Sequence, residues 1–114
     1  MTYTYRLPFP PSMNHYWRRH GHIMHVSAKG HAFRRDVFEV CNGDPPLTGR
    51  LAIQLELTLP TRRKCDIDNY VKSTLDALAH AGVFENDNQV DELRVKRLHV
   101  EAPGCCDVTI TELT

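Results

Sequence analysis

The sequence predicts an α+β fold, a single domain over residues 1–114 in which two main helices pack on a mixed sheet of about four to five strands. Three observations support this prediction. Residues 50–59 alternate apolar and polar side chains with the period of a strand, and residues 2–7 do so as well. Apolar residues recur every three to four positions over residues 28–41 and 68–81, as on one face of a helix. The length suits one domain, and the predicted order is roughly β-(β)-α-β-α-β-β.

The N-terminal strand ends in a proline-rich turn. Residues 8–11 contain three prolines, which cannot donate hydrogen bonds to a sheet, so the strand over residues 2–7 stops there. Residues 12–19 follow as a loop. Residues 21–26 predict a short strand that forms a hairpin with part of this loop.

This loop interleaves aromatic and cationic side chains. Aromatic rings can stack on unpaired bases while arginines bind phosphates, which predicts contact with nucleic acid. In an alternative of equal weight, Tyr16 and Trp17 pack on the sheet and only the arginines face water. The candidate DNA-binding residues here are Asn14, Tyr16, Trp17, Arg18 and Arg19.

The first main helix is predicted to begin after Ser27, which suits the N-cap position. Its outer face would carry Lys29, Arg34 and Arg35, where a DNA backbone could bind. Lys29 and Arg34 therefore join the DNA-binding candidates. Residues 42–46, with the sequence Asn-Gly-Asp-Pro-Pro, end the helix and turn the chain.

The strand over residues 50–59 has five apolar side chains on one face, which predicts a central position in the sheet. A basic run follows it and leads into two carboxylates. The neighbouring cations lower the cost of keeping Asp66 and Asp68 ionised, and they also place positive charge where phosphates would lie. The basic run consists of Arg62, Arg63 and Lys64.

The second main helix, over residues 68–81, is predicted to have Asp66 or Asp68 as its N-cap. These aspartates are two residues apart, so they share a side only where the backbone between them is extended. Asp68 and Lys72 are four residues apart and share a helical face. Asp76 lies on the same row and could pair with Lys72 and orient it.

Two predicted strands complete the chain. Residues 83–88 form a loop that carries Asp87, and residues 89–100 return as a strand with a bulge near residues 91–93. The last strand, over residues 106–113, is predicted to run antiparallel to the strand before it.

The net charge is zero, yet the charge is segregated along the chain. Residues 1–35 hold six Lys and Arg residues and no acid, whereas residues 85–92 hold four acids and neither Lys nor Arg. Basic segments beside an acidic pocket suit an enzyme that binds phosphates and holds cations, although an ordinary solvated surface also fits these counts. No apolar run is long enough for a bilayer and no leader opens the chain, which predicts a cytoplasmic protein.

The cysteines and histidines predict neither disulfides nor a zinc site. The four cysteines include no CxxC pair, and the adjacent Cys105 and Cys106 can hardly bridge each other without strain. Reduced thiols suit a cytosolic protein. The seven histidines lack the spacing typical of zinc ligands.

The acidic residues instead suit a hard cation. Hydrolysing a phosphodiester requires a nucleophilic water and neutralisation of charge, which Mg²⁺ held by carboxylates supplies. In this interpretation Asp66, Asp68 and Asp87 hold Mg²⁺, with Mn²⁺ as the alternative ion. Lys72 would stabilise the scissile phosphate, and Asn69 would position a ligand or a water. On spacing alone, a helix cap with a solvated neighbour explains such an acidic pair more often.

Four motifs together are specific. The pattern D-x-D-N-x-x-K occupies residues 66–72, and D-x-Q-V occupies residues 87–90. Nearer the N-terminus, residues 7–14 read Leu-Pro-Phe-Pro-Pro-Ser-Met-Asn and residues 26–30 read Val-Ser-Ala-Lys-Gly. In these motifs, which span nearly the whole chain, the sequence resembles RusA-type Holliday junction resolvases.

The resemblance implies that Asp66, Asp68 and Asp87 are the catalytic, metal-binding aspartates and that Lys72 is the essential lysine. It further implies a homodimeric, Mg²⁺-dependent endodeoxyribonuclease of the kind often associated with prophages, which makes paired nicks in four-way DNA junctions. A two-fold symmetric junction suits two equivalent sites. Two alternatives are a nuclease for flaps or forks, and a non-catalytic DNA-binding protein on the same scaffold.

Two features depart from the pattern expected of that family. The net charge is zero where relatives are expected to be basic, so DNA affinity would depend on local patches and fall steeply with salt. Asn86 stands where a second acid is usual, which leaves Asp87 as the only aspartate of that turn. Glu85 and Asp91 are fallback ligands. Asn69, Asp76 and Asp91 are supporting candidates.

Overall fold

The computed structural model describes residues 1–113 and contains two main helices, a four-stranded mixed sheet and a separate two-stranded hairpin, which confirms the predicted α+β fold. The strands are Thr2–Pro8 (β1), Trp17–His20 (β2), Ile23–Val26 (β3), Leu51–Leu59 (β4), Val90–Val100 (β5) and Cys105–Glu112 (β6). The helices are the single turn Met13–Tyr16 (α1) and the longer Ala28–Cys41 (α2) and Val71–His80 (α3). Two short 3-10 helices, Ile67–Tyr70 and Asp87–Gln89, precede α3 and β5.

The main sheet has the strand order β1-β6-β4-β5. Strands β4 and β5 run parallel, as a crossover through α3 allows, whereas β6 pairs antiparallel with both β4 and β1. Strand β6 therefore runs antiparallel to β5, as predicted, but these two strands do not pair with each other, because β4 lies between them. Burial gives the reason: Val108 and Ile110 of β6 lie opposite Leu55 and Ile53 of β4, and all four side chains are buried.

Strand β4 is the central strand that its sequence predicts. Its five alternate apolar side chains, from Leu51 to Leu59, are all buried. They form the core together with side chains of α2 and α3 such as Phe33, Val37 and Leu78. Each such burial contributes about 1.5–3 kcal/mol relative to exposure. The packing of β4 therefore fixes where the following loop and α3 lie.

The segment predicted as a loop, residues 12–19, instead forms α1 and β2. Strand β2 pairs antiparallel with β3, which confirms the predicted hairpin. The predicted bulge is also confirmed. Leu51 and Ala52 lie opposite Val90 and Glu92, so Asp91 is the extra residue in β5.

The helix boundaries differ in one respect from the predictions. Ser27 caps α2 as expected, since its side-chain oxygen accepts a hydrogen bond from the backbone N–H of Gly30 at 3.0 Å. The second main helix, however, begins with a 3-10 turn. The backbone N–H of Val71 donates to the carbonyl of Asp68, three residues earlier, before the α-helical pattern takes over.

The four cysteines are free thiols, as predicted. Cys41 and Cys106 are buried, and Cys65 and Cys105 are half-buried. Among the helices of residues 1–113, none has both the length and the apolar character needed to cross a membrane.

Gly30 permits a close approach between α2 and the start of the hairpin. A Cβ atom at this position would lie 2.7 Å from the carbonyl oxygen of Tyr16 and 2.5 Å from Cγ1 of Val26. Both separations are too short for carbon. The missing side chain therefore lets the base of the β2–β3 hairpin rest on the first turn of α2.

Replacing Gly30 by alanine is expected to lower the free energy of unfolding by about 1–3 kcal/mol, because the backbone at Tyr16 must shift to admit the methyl group. Urea denaturation measures the change. Gly49→Ala is the matched control, since no heavy atom lies within 4 Å of a Cβ built there. If Gly30→Ala is no more destabilising than Gly49→Ala, the close approach does not constrain the fold.

Candidate active site

The two aspartates after β4 lie on an exposed turn. Asp66 occupies the N-cap position of the 3-10 helix Ile67–Tyr70, and its backbone is extended, with φ −94° and ψ 126°. Its side chain makes no capping hydrogen bond, although its carbonyl accepts one from the N–H of Asn69 at 3.1 Å. Asp68 lies within the 3-10 helix, so the backbone between the two carboxylates is not extended throughout. Both side chains face solvent.

Lys72 and Asp87 form the central ion pair of the site. The Lys72 Nζ atom lies 2.5 Å from Oδ2 of Asp87, with 44% of the lysine side chain and 30% of the aspartate side chain exposed. The predicted pairing of Lys72 with Asp76 is therefore wrong. Asp76 has other partners, and Lys72 contacts a predicted metal ligand instead. A partly exposed pair of this kind can exchange its partners for those of a substrate at little cost.

The turn that presents Asp87 is held by its neighbours. The side-chain oxygen of Asn86 accepts a hydrogen bond from the N–H of Asn88 at 2.9 Å, as part of a capping box with Gln89. Asn86, which stands where a second acid was expected, thus has a structural role. Of the fallback ligands, Glu85 is exposed, and Asp91 pairs with Arg50 at 2.5 Å. That hydrogen bond from Arg50 lowers the pKa of Asp91.

Gln89 ties the same turn to the segment before β4. Its side-chain oxygen accepts hydrogen bonds from the N–H groups of Glu85 and Asn86, at 2.8 and 2.9 Å. Its side-chain nitrogen donates to the carbonyls of Leu47 and Gly49, both at 2.9 Å. The Gln89 side chain is buried, and its four hydrogen bonds are partly buried. They fix the loop that carries Asp87.

Arg97 positions the Asp66 loop and was missed by the sequence analysis. Its guanidinium donates to the carbonyl oxygen of Cys65 at 2.8 Å and contacts Cys65 Sγ at 3.6 Å. On β5, Arg97 occupies the same alternating register as Leu93 and Val95. The sequence signal that could have identified Arg97 is a charged residue at a position where the alternating pattern of the strand calls for an apolar one.

The structure brings Lys72 and Asp87 together but does not gather the three predicted carboxylate ligands into one cluster. Within residues 1–113, no three His, Cys, Asp or Glu side chains lie close enough to hold a metal ion. Both 3-10 helices nevertheless pack against α3, so Asp68 and Asp87 flank the same helix. In the described part of the chain, the carboxylates of Asp66 and Asp68 have no hydrogen-bond or ion-pair partner. Exposed carboxylate oxygens of this kind suit a hard divalent cation.

Two adjoining clefts contain most of the predicted DNA-binding residues. One cleft of about 460 Å³ lies between the proline-rich turn and the loop after β4, and Arg63, Lys64 and Asn69 line it. A second cleft of about 510 Å³ runs along the hairpin and is lined by Trp17, Arg18, Arg19 and Lys29. Asn14 lines both clefts.

A smaller cleft completes the basic surface beside the acidic turn. It has a volume of about 390 Å³, and Arg62, Arg63 and Lys64 line it next to Asp66 and Arg97. The basic run therefore lies directly beside one predicted metal ligand.

Two DNA-binding predictions are corrected by burial. The Tyr16 side chain is fully buried, at 0% exposure, so it cannot stack on a base. Arg34 does not lie on the outer face of α2, because its guanidinium pairs with Asp76 at 2.6 Å. Trp17 is half-buried and packs against the core. The sequence left open whether Tyr16 and Trp17 stack on bases or pack on the protein. For Tyr16, packing on the protein is confirmed.

Burial and hydrogen bonding oppose each other at Asp76. Burial disfavours the charged carboxylate, but the hydrogen bonds from Tyr16 and Arg34 outweigh it, so the pKa of Asp76 lies below its ordinary value. Burial together with the nearby Asp76 carboxylate raises the pKa of Tyr16. At neutral pH the cluster therefore consists of a carboxylate, a guanidinium and a neutral phenol.

Replacing Gln89 by leucine is expected to lower the free energy of unfolding by about 2 kcal/mol or more, because four partly buried hydrogen bonds to the backbone are lost, each worth about 0.5–1.5 kcal/mol. Asn88→Ala is the matched control at the exposed neighbouring position, where a change within about 0.5 kcal/mol is expected. Chemical denaturation of both variants measures the difference. Equal stabilities would show that the Gln89 bonds do not hold the turn.

Comparison with known proteins places these features in a family. The family model described as Endodeoxyribonuclease RusA matches residues 8–111. The chain is 42% identical to the crossover junction endodeoxyribonuclease of Enterobacteria phage HK97, over 97% of this chain and 95% of the relative. It is 39% identical to the enzymes of that name from Enterobacteria phage 82 and from Escherichia coli K12, in each case over 98% of this chain and 96% of the relative.

Proposed function

This chain belongs to the RusA family of endodeoxyribonucleases, and from that premise we propose that it resolves four-way (Holliday) DNA junctions by paired phosphodiester hydrolysis. The observation that carries the proposal is the match along nearly the full chain to relatives named crossover junction endodeoxyribonucleases. The local arrangement supports it, since exposed carboxylates and a lysine lie beside basic clefts. Phosphodiester hydrolysis needs these two kinds of charge side by side.

Asp66, Asp68 and Asp87 are the proposed ligands of Mg²⁺, with Mn²⁺ as the alternative. Their oxygen donors suit these hard cations. A bound divalent ion would supply a nucleophilic water and charge neutralisation at the phosphate. The proposal requires the turns that carry Asp68 and Asp87, on either side of α3, to approach each other.

Lys72 is the proposed catalytic cation. Its ammonium group is partly exposed and already paired with a carboxylate, so it can exchange Asp87 for a phosphate oxygen as DNA binds. At the phosphate its positive charge stabilises the negative charge that develops in the transition state. Asn69, at the turn beside Asp68, is proposed to position the reacting groups.

DNA binding is proposed to use the cleft along the hairpin and the cleft beside the acidic turn. Arg18, Arg19 and Lys29 on the hairpin side, and the basic run of residues 62–64 on the other, would hold the phosphates. Trp17 offers a half-buried ring in the cleft along the hairpin. Since the net charge of the chain is zero, binding depends on these local cations and is expected to weaken steeply with salt.

Asp68→Asn is expected to reduce junction cleavage at least about 100-fold, because it removes a proposed metal-binding charge. Labelled four-way, forked and linear DNA is incubated with each protein, in Mg²⁺ or in EDTA, and the amount of cleaved DNA is measured. Asp44→Asn is the matched control and should cut as the wild type does, because Asp44 is exposed and lines a different cleft, together with Tyr3 and Tyr5.

Each failure in this assay has a separate meaning. An intact junction in Mg²⁺ would leave a non-catalytic DNA-binding protein as the explanation. Cleavage of the fork alone, or of all three DNAs alike, would exclude junction selectivity while retaining nuclease activity. Undiminished cutting by Asp68→Asn would remove that residue from the site.

A homodimer is proposed because a two-fold symmetric junction is cut at two equivalent positions. The mass of one chain is 13.1 kDa, and sedimentation at equilibrium should give twice this mass. Dimers that combine one wild-type and one Asp68→Asn subunit should nick only one of the paired strands. Paired nicking by a species that sediments as a monomer would contradict the proposed assembly.

A further inference from the structure

A largely buried polar cluster joins three parts of the fold beside the candidate active site. The hydroxyl of Tyr16, at the end of α1, donates to Oδ2 of Asp76 on α3. Arg34, on α2, donates from Nε to the Tyr16 hydroxyl at 2.7 Å and from its terminal nitrogen to the same Asp76 oxygen at 2.6 Å. Only 18% of the Arg34 side chain and 22% of the Asp76 side chain are exposed.

We propose that Tyr16, Arg34 and Asp76 are positioning residues that hold the β2–β3 hairpin in a fixed place relative to Lys72, and thereby set where DNA is cut. The proposal rests on the proposed function for its catalytic consequence. Its structural part, that this cluster immobilises the hairpin, can be tested without DNA.

The link to the reaction centre runs through α3. Lys72 and Asp76 are four residues apart, so they lie one turn apart on one face of this helix. Lys72 reaches Asp87 from that face, while Asp76 reaches Tyr16 and Arg34. The anchor of the hairpin and the proposed catalytic cation are therefore held by adjacent turns of one element.

The link to the hairpin runs through the backbone of Tyr16. Its carbonyl oxygen accepts a hydrogen bond from the N–H of Ser27 at 2.8 Å, which closes the base of the hairpin just beyond β3. The Ser27 hydroxyl donates to the carbonyl of His15 at 2.5 Å, and Gly30 leaves room for this packing. Both ends of the hairpin thus meet at a residue whose side chain is fixed to α3.

Trp17 and Val26 pack against the core at the base of the hairpin, whereas the rest of the hairpin, residues 18–25, is exposed. Strands β2 and β3 pair with each other and lie outside the main sheet. The side chains of Arg18, Arg19, Ile23 and Met24 are exposed along it. A small rotation at Tyr16 therefore becomes a larger displacement of the arginines proposed to bind phosphates.

The charges of the cluster favour a positioning role over DNA binding. The charge of the Arg34 guanidinium is neutralised by the Asp76 carboxylate. Its Cζ atom also lies over the Tyr16 ring, 5.7 Å from the ring centroid. The positive charge of Arg34 is therefore not available to bind a phosphate. Removing Asp76 would leave a largely buried cation without its counter-charge, which is unfavourable enough to loosen the contact.

The first test measures hairpin motion by the fluorescence of Trp17, which is the single tryptophan of the chain and lies on β2. Tyr16→Phe removes one hydroxyl and retains the ring that Trp17 contacts at a centroid distance of 5.2 Å. Time-resolved anisotropy of Tyr16→Phe and Asp76→Asn should show larger nanosecond motion of Trp17 than in the wild type. Arg6→Gln, which removes the exposed ion pair with Asp107, is the control and should show no change.

The second test maps the nicks on a four-way junction at saturating protein. Both variants are expected to spread cleavage to neighbouring phosphates and to lose about 10- to 100-fold in single-turnover rate, as misplacement of reacting groups by about 1 Å does. A loss of folded protein alone would lower the active fraction and leave the nick positions unchanged. Tyr16→Phe provides this comparison even if Asp76→Asn does not fold.

The proposal requires both results. If Trp17 is as rigid in Tyr16→Phe as in the wild type, or if the nick positions do not change, the cluster only stabilises the fold and the proposal is wrong. A wild-type protein that cuts no junction would instead refute the proposed function. The anisotropy measurement would then still decide whether the cluster fixes the hairpin.

Discussion

The position of α3 is the constraint on which the rest of the site depends. Its apolar face, which includes Leu75 and Leu78, is buried in the core. Its buried Ser73 hydroxyl donates to the carbonyl of Pro11 at 2.7 Å, so the helix also holds the proline-rich turn. Lys72 and Asp76 extend from the same helix to the Asp87 turn and to Tyr16. One helix thus connects the core, the acidic turns and the basic hairpin.

A net charge of zero is compatible with a DNA-binding surface because the charges are arranged unevenly. Within residues 1–113, the ion pairs of Lys and Arg with carboxylates involve Arg6, Arg34, Arg50 and Lys72. The cations of the hairpin and of the basic run at residues 62–64 form no such pair in this described range. Their positive charge is therefore available to attract phosphates that enter the clefts, although the net charge of the whole chain is zero.

Period and spacing in the sequence predicted the strand β4, the helix α2 with its Ser27 cap, and the bulge at Asp91. These features arise from local patterns, so local reasoning finds them. The pairing of β6 with β4 was not predicted, because strand order depends on which buried faces match across the sheet. The burial of Tyr16 was equally non-local, since its partner Asp76 lies 60 residues away.

The candidate site was predicted only in part, because some of its contacts join residues that are far apart in the sequence. Motifs in the sequence identified Asp66, Asp68, Lys72 and Asp87 as a group, but spacing along a helix suggested the wrong partner for Lys72. Its actual partner, Asp87, arrives from a separate turn that Gln89 secures through the backbone. Arg97 was missed because its role is visible only once β5 lies beside the Asp66 loop.

The central claim is that carboxylates from both acidic turns hold one divalent cation beside Lys72. The most direct measurement is a crystal structure of the protein with Mn²⁺, in which the anomalous scattering of manganese locates the ion. The account predicts a peak coordinated by Asp66, Asp68 and Asp87 together, with Lys72 released from its pair with Asp87. A peak bound by the carboxylates of only one turn, or no peak at either turn, would contradict it.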